Sequence, residues 1–232
     1  KGAAAFIFSI VLFTVFKNIV DLWQPMIYTL AVFTMTLANL FALRQDNIKR
    51  FLAFSSIAQA GFLLLGILGA SDLGMTSIVY FVLVYVFTNL GAFGVVTAVQ
   101  NASGIETISG YNGLYKTNPM LSLIMTLSLF SLAGIPPVAG FFGKFFLFTA
   151  AASKGYYILV LIAVLNATIS LYYYLRVVKA MFIDKNDEPV AWFRSSAAMR
   201  ISLVMCVAGV FIIGFASGIF EYIRNISLLF LN

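Results

Sequence analysis

The 232 residues are 62% hydrophobic and 9% charged, with mean hydropathy +1.02, which excludes a soluble enzyme built around a large core. Fourteen bases against eight acids give a net charge of +6, and their spread between apolar runs points to loops beside a membrane rather than to nucleic acid. With no histidine and a single cysteine, Cys206, neither a metal cluster nor an intrachain disulfide is expected.

A run of about 20 apolar residues is needed to cross ~30 Å of hydrocarbon. In chain order the expected spans cover 2–17, 26–43, 51–70, 76–99, 119–150, 155–180 and 199–221, an all-α polytopic helix bundle of one membrane domain. The first residues, Lys1-Gly-Ala-Ala-Ala-Phe, lack an initiator methionine and the charged region of a signal peptide. The chain is therefore expected to be a piece of a larger membrane subunit. The fifth run is too long for one straight helix, since 32 residues at ~1.5 Å each extend about 48 Å. A break at Gly134-Ile-Pro-Pro137 divides it into two half-helices and sets the break inside the bilayer.

Loop charges suggest an orientation. The loops after the second, fourth and sixth spans carry Arg44, Lys49, Arg50, Lys116, Arg176, Lys179, Lys185, Arg194 and Arg200, whereas the other side has Lys17, Lys154 and Arg224. The positive-inside rule makes the first group cytoplasmic, so loops near 44–50, 100–118 and 182–198 are expected there.

Within the spans, Lys144 is the residue hardest to explain as packing. It follows Pro136, Pro137, Gly140 and Gly143 and is surrounded by phenylalanines. A lysine at mid-bilayer costs at least ~2.5–3.5 kcal/mol and usually marks an ion or proton path. The prolines remove backbone donors, a loss tolerated only under protein or beside a water-filled cavity. Snorkelling to the headgroups is the plain alternative, but apolar turns extend on both sides of Lys144. Burial disfavours its charged form, which brings an ammonium-to-amine cycle within physiological reach. Lys1 enters the first apolar run and is either a second buried base or an exposed end.

Ser55, Ser56 and Gln59 lie inside the third span, with Ser55 and Gln59 on one face. They either bond between helices or support a chain of waters. Asn39, Asn89 and Asn166 are expected to bond between helices. Tyr172-Tyr-Tyr174 with Arg176 and Lys179 reads as an interfacial aromatic belt, and Gly209, Gly214 and Gly218 as close-packing positions. No nucleophile–histidine arrangement or phosphate-cradling loop is present, and Gly140-Phe-Phe-Gly-Lys144 is apolar and lies within a span.

Two segments, Ala42-Leu-Arg-Gln-Asp-Asn-Ile-Lys-Arg-Phe-Leu-Ala-Phe-Ser-Ser-Ile-Ala-Gln-Ala-Gly61 and Ser131-Leu-Ala-Gly-Ile-Pro-Pro-Val-Ala-Gly-Phe-Phe-Gly-Lys-Phe145, resemble the antiporter-like membrane subunits of respiratory complex I. The Tyr172-Tyr-Tyr-Leu-Arg-Val-Val178 string and the short stretch after the last span look most like the bacterial N-type branch, the counterpart of mitochondrial subunit 2. That resemblance implies two inverted five-helix repeats, each with a broken helix. This chain would carry the end of the preceding repeat at 1–17, the second repeat at 26–180 and the final transmembrane helix at 199–221. It further implies that Lys144 is the broken-helix lysine and Lys1 the connecting lysine of a proton relay. Many relatives have histidine at Gln59 and tyrosine at Phe54. Gln59 can orient water but cannot take up a proton.

The expected function is therefore that of a proton-translocating, non-redox membrane subunit of an NADH:quinone oxidoreductase. Lys144 and Lys1 would relay protons, with Ser55, Ser56 and Gln59 along a water chain and Gly134, Pro136 and Pro137 at the break. NADH, FMN, iron–sulfur clusters and quinone are expected in other subunits, because this chain shows no flavin, iron–sulfur or nicotinamide motif. Expected partners are other membrane subunits, the bilayer, water and protons. The alternatives are a multisubunit cation/proton antiporter subunit, and a scaffold whose lysines only pin helices.

Overall fold

The computed structural model describes residues 2–216 and 218–228. Their order is α1 (Gly2–Thr14), α2 (Val20–Leu43), α3 (Ile48–Leu68), α4 (Asp72–Ser103), a one-turn α5 (Leu114–Thr117), α6 (Pro119–Ala133), α7 (Ala139–Ala152), α8 (Tyr157–Phe182), α9 (Ala197–Phe215) and α10 (Gly218–Leu228). The helix starts follow local chemistry. Asn47 caps α3 by accepting from the Lys49 and Arg50 N–H groups, Ser71 caps α4, and Pro119 begins α6, where its missing donor costs nothing.

Among the described residues, five helical segments are long and apolar enough to cross a membrane: Lys17–Leu43, Ile48–Leu68, Asp72–Ser103, Tyr157–Phe182 and Ala197–Phe215. Neither α6 nor α7 reaches that length alone, with 15 and 14 residues. Placed in tandem, they make one crossing interrupted where the sequence predicts it. The last span differs from expectation. Instead of one helix over 199–221, α9 ends at Phe215, Ala216 leaves the helical region, and α10 starts at Gly218. The cause is amphipathicity: α10 exposes Glu221 and Arg224 while burying Ile223, so it lies against the bundle instead of extending α9 through apolar surroundings. Phe220 reaches the rings of Tyr80 and Phe146.

α3 lies at the centre, with 72% of its apolar stretch inside the protein, against 22% for the peripheral α9. On α2, Leu22, Met26, Leu30, Phe33 and Leu37 form an exposed stripe at helical spacing, a surface suited to lipid or another apolar helix. Small residues permit the close approach that replaces the hydrophobic drive inside a bilayer. Gly209 faces the Phe87 ring and Gly214 the Ala139 backbone, whereas Gly218 meets nothing within 4 Å.

The three base-carrying loops gather at one end. The Ile48 N–H donates to the Glu106 carbonyl and the Ile108 N–H to the Asp46 carbonyl, both at 2.8 Å, while the Gly113 N–H reaches the Ala180 carbonyl at 3.0 Å. Two ion pairs reinforce the join, Lys49–Glu106 at 3.1 Å and Arg176–Asp46, while Lys179–Asp184 at 3.2 Å closes the end of α8 on its own loop. The Lys49 and Asn47 side chains hold the Glu106 carboxyl below the usual carboxylate range. At the opposite end Tyr156 donates to Gln24 Oε1 at 2.9 Å.

Candidate functional site

The site is built on the end of α6. Gly134 adopts φ 87°, a left-handed conformation that glycine takes without strain. The Gly134 N–H donates to the Ser131 carbonyl and the Ile135 N–H to the Phe130 carbonyl. This closure satisfies two of the carbonyls that a helix end orphans and leaves those of Leu132 and Ala133. Side chains take both. Gln59 Nε2 donates to the Leu132 carbonyl at 2.9 Å, and Lys144 Nζ to the Ala133 carbonyl at 3.0 Å.

Lys144 reaches back across the break because helical side chains lean toward the N-terminus of their own helix. It is only 4% exposed, which rules out snorkelling within this structure. Its Nζ also stands 4.7 Å from the centroid of the Phe62 ring, within the range of cation–π attraction. No carboxylate pairs with it among the described residues. An ammonium here is therefore supported by carbonyl dipoles, the negative end of α6 and an aromatic face, against the desolvation of its burial.

The crossing of the half-helices depends on Gly140, since a Cβ there would strike the Ser131 carbonyl. Ser131 Oγ is itself 2.9 Å from Thr88 Oγ1, which ties the break to α4. The peptide between Pro136 and Pro137 is cis.

From Gln59 the polar contacts continue toward the charged-loop end. Gln59 Nε2 also donates to the Tyr174 hydroxyl at 3.2 Å, and Tyr174 Oη lies 2.5 Å from Ser55 Oγ. Either hydroxyl of the Tyr174–Ser55 pair can be the donor. Lys144, Gln59 and Ser55 thus belong to one connected region. Ser56 faces another way, with Oγ 2.5 Å from the Tyr85 hydroxyl on α4. Lys1 lies outside the described residues.

The reading of tyrosines 172–174 as an interfacial belt is corrected. Only Tyr172 is exposed, at 68%, while Tyr173 and Tyr174 are fully buried. Consecutive helical residues point about 100° apart, so three adjacent tyrosines cannot all face lipid, and that rotation was the available signal. Tyr173 donates to Asn39 Oδ1 at 2.7 Å, and Asn39 Nδ2 donates to Asn166 Oδ1 at 2.9 Å. Asn39 and Asn166 therefore join α2 to α8 as expected. The Asn89 side chain, by contrast, makes no hydrogen bond among the described residues.

The sequence matches the family described as NADH:quinone oxidoreductase/Mrp antiporter, TM, over residues 2–170. Similar curated proteins include the NADH-quinone oxidoreductase subunit N of Phocaeicola vulgatus, 51% identical over 99% of this chain and 49% of that protein. The subunit N of Azobacteroides pseudotrichonymphae is 53% identical over 98% of this chain and 48% of its own length. This chain thus spans about half the length of the curated relatives it matches. Among solved structures, a chain of respiratory complex I from Thermus thermophilus aligns with TM-score 0.73 and 29% identity, over 84% of this chain and 44% of that one. A chain of the Mrp complex from Dietzia aligns with TM-score 0.88 over 100% of this chain and 51% of that one, at 18% identity, a likeness of fold alone.

Proposed function

The chain belongs to the NADH:quinone oxidoreductase/Mrp antiporter transmembrane family, and from that premise we propose that it forms about half of an N-type membrane subunit that translocates protons for an NADH:quinone oxidoreductase. Electron transfer would take place in other subunits, with this chain serving as a non-redox part of the translocase in a bacterial inner membrane. The charged-loop end would face the cytoplasm. Residues 26–180 would make up the second five-helix repeat, with 1–17 closing the preceding one and the last helices following it.

The observation that carries this reading is Lys144 seated on the orphaned Ala133 carbonyl of a broken helix, with no carboxylate partner among the described residues. A base so placed is sensitive to any charge that approaches it, because the low dielectric screens little. A change of charge elsewhere along the membrane plane, with Lys1 as the proposed neighbouring station, would favour release or uptake of the Lys144 proton. Gln59 already donates to Leu132 and Tyr174, so it orients the path without carrying the proton. The Tyr174–Ser55 pair offers hydroxyls that water can join toward the charged-loop end. Ser56 and Tyr85 offer a separate contact with α4.

Replacing Lys144 by Met in the intact complex tests the assignment. Assembly and electron transfer should persist while proton pumping falls; undiminished pumping would refute the proposal. The fold also suits a cation/proton antiporter, as the likeness to the Mrp chain indicates. Sodium-driven proton exchange by the full-length subunit without redox partners would favour that second reading.

A further inference from the structure

At the charged-loop end, a groove of about 830 Å³ is lined by residues from the heads of α6 and α9 and from the loop before α9. Its walls are apolar along the helices, with Met120 and Ile124 on one side and Ile201, Val204 and Met205 on the other. Its mouth is basic. Arg194 and Arg200 both line it, with Trp192 and Ser195, and no acidic residue does among the described residues.

Three acids at this end are already paired, Asp46 with Arg176, Glu106 with Lys49 and Asp184 with Lys179, while Asp187 and Glu188 of the same loop do not line the groove. Arg194 and Arg200 have no ion-pair partner among the described residues. Their loop is also held in place. The Asn118 amide, 5% exposed, donates to the Ala191 carbonyl at 3.2 Å and accepts from the Phe193 N–H at 3.4 Å. One buried side chain at the head of α6 thereby sets Trp192 and Arg194 beside the groove.

Two unpaired guanidinium groups above an apolar cleft match one ligand chemistry, a phosphate diester with hydrocarbon tails. Arginine binds phosphate oxygens in a bidentate fork, and basic pockets between membrane helices suit anionic headgroups. The exposed Trp192 at the groove's mouth is of a type enriched in the headgroup layer. From Ala197 to Met205 the α9 wall runs about 12 Å, deep enough for the upper part of an acyl chain. We propose that this groove is a binding site for an anionic phospholipid, which inserts a chain between α6 and α9 and seats its phosphate on Arg194 and Arg200.

The test uses the intact membrane complex and phosphatidylglycerol bearing a photoreactive acyl chain, with labelled peptides mapped by mass spectrometry. Labels should fall on the 119–124 and 201–205 segments. Excess unlabelled phosphatidylglycerol should abolish them, and phosphatidylcholine should not. The double substitution Arg194→Gln with Arg200→Gln should lower labelling there at least several-fold, and the Lys pair at the same positions should retain most of it. Equal competition by phosphatidylcholine, or undiminished labelling in the Gln pair of an assembled complex, would overturn the proposal. So would cross-links from these segments to another subunit with no lipid adduct. If the Gln pair does not assemble, the comparison of the two competing lipids in the unaltered complex decides.

Discussion

Gln59 and Lys144 occupy consecutive carbonyls at the end of one half-helix, Leu132 for the amide and Ala133 for the ammonium. The two side chains come from different helices, α3 and α7, and neither bonds the other directly. Each satisfies an acceptor that the break exposes, so the break is closed by side chains rather than by continuing backbone. Removing Gln59 should therefore be felt locally. Gln59→Leu leaves the Leu132 carbonyl without its donor, and a buried polar group left unpaired costs ~1–3 kcal/mol. A lowered unfolding midpoint of the detergent-solubilised complex, with Lys144 intact, is the expected result.

Tyr174 and Tyr172 provide a contrast within one helix. Tyr174→Phe removes the hydroxyl between Gln59 and Ser55 and should cost about 1 kcal/mol, together with reduced pumping. Tyr172→Phe removes an exposed hydroxyl and should change neither. Equal effects at both positions, measured as unfolding midpoint and proton uptake by vesicles, would contradict the buried assignment.

Gly140 is a steric prediction. Gly140→Ala forces a methyl group onto the Ser131 carbonyl and should destabilise the half-helix crossing by ~1–3 kcal/mol. Gly218→Ala, which meets open space, serves as the control. The yield of assembled complex should fall only for the first.

The acid side of the stability profile should report Glu106. Its carboxyl is held below the usual carboxylate range, first by the hydrogen bond from Lys49 and then by that from Asn47. A depressed folded-state value means that its contribution is present above the unfolded carboxylate value, about 4.3, and is lost as pH falls through the folded value. The stability difference between the native protein and Glu106→Gln should be visible at about pH 7 and should shrink once pH falls below the unfolded carboxylate value, about 4.3. A difference that grows on acidification would contradict the pairing.

Tyr111 is fully buried, and its hydroxyl has no hydrogen-bond partner among the described residues. Burial, with the nearby Glu106 charge, pushes its phenol well up. Removing an unsatisfied hydroxyl at constant shape is near neutral or stabilising, so Tyr111→Phe should leave the unfolding midpoint unchanged or raised.

Much of this was legible in the sequence because hydrocarbon imposes simple rules. Span lengths, the division near Gly134 and the buried position of Lys144 follow from apolar run length, glycine, proline and charge. The gathering of the loops at 44–50, 100–118 and 182–198 follows from counting crossings. Local sequence did not reveal what α6 does with its last carbonyls, because Gln59 and Lys144 reach them from 73 and 11 residues away. Nor did it separate Tyr174 from Tyr172, since residue type alone does not say which side of a helix faces lipid. The turn at Ala216 escaped notice because the apolar run continues through it, and only the exposed Glu221 and Arg224 mark where α10 begins.

The central claim is that Lys144 changes its protonation state rather than merely pinning helices. The most direct measurement is the number of protons pumped per electron by the intact complex carrying Lys144→Arg. Arginine keeps a permanent positive charge and can still donate to the Ala133 carbonyl, but it does not release its proton in proteins. The account predicts an assembled complex with a lowered proton-to-electron ratio, close to that of Lys144→Met. A ratio restored to that of the unaltered protein would show that a fixed charge is enough, and would contradict the relay.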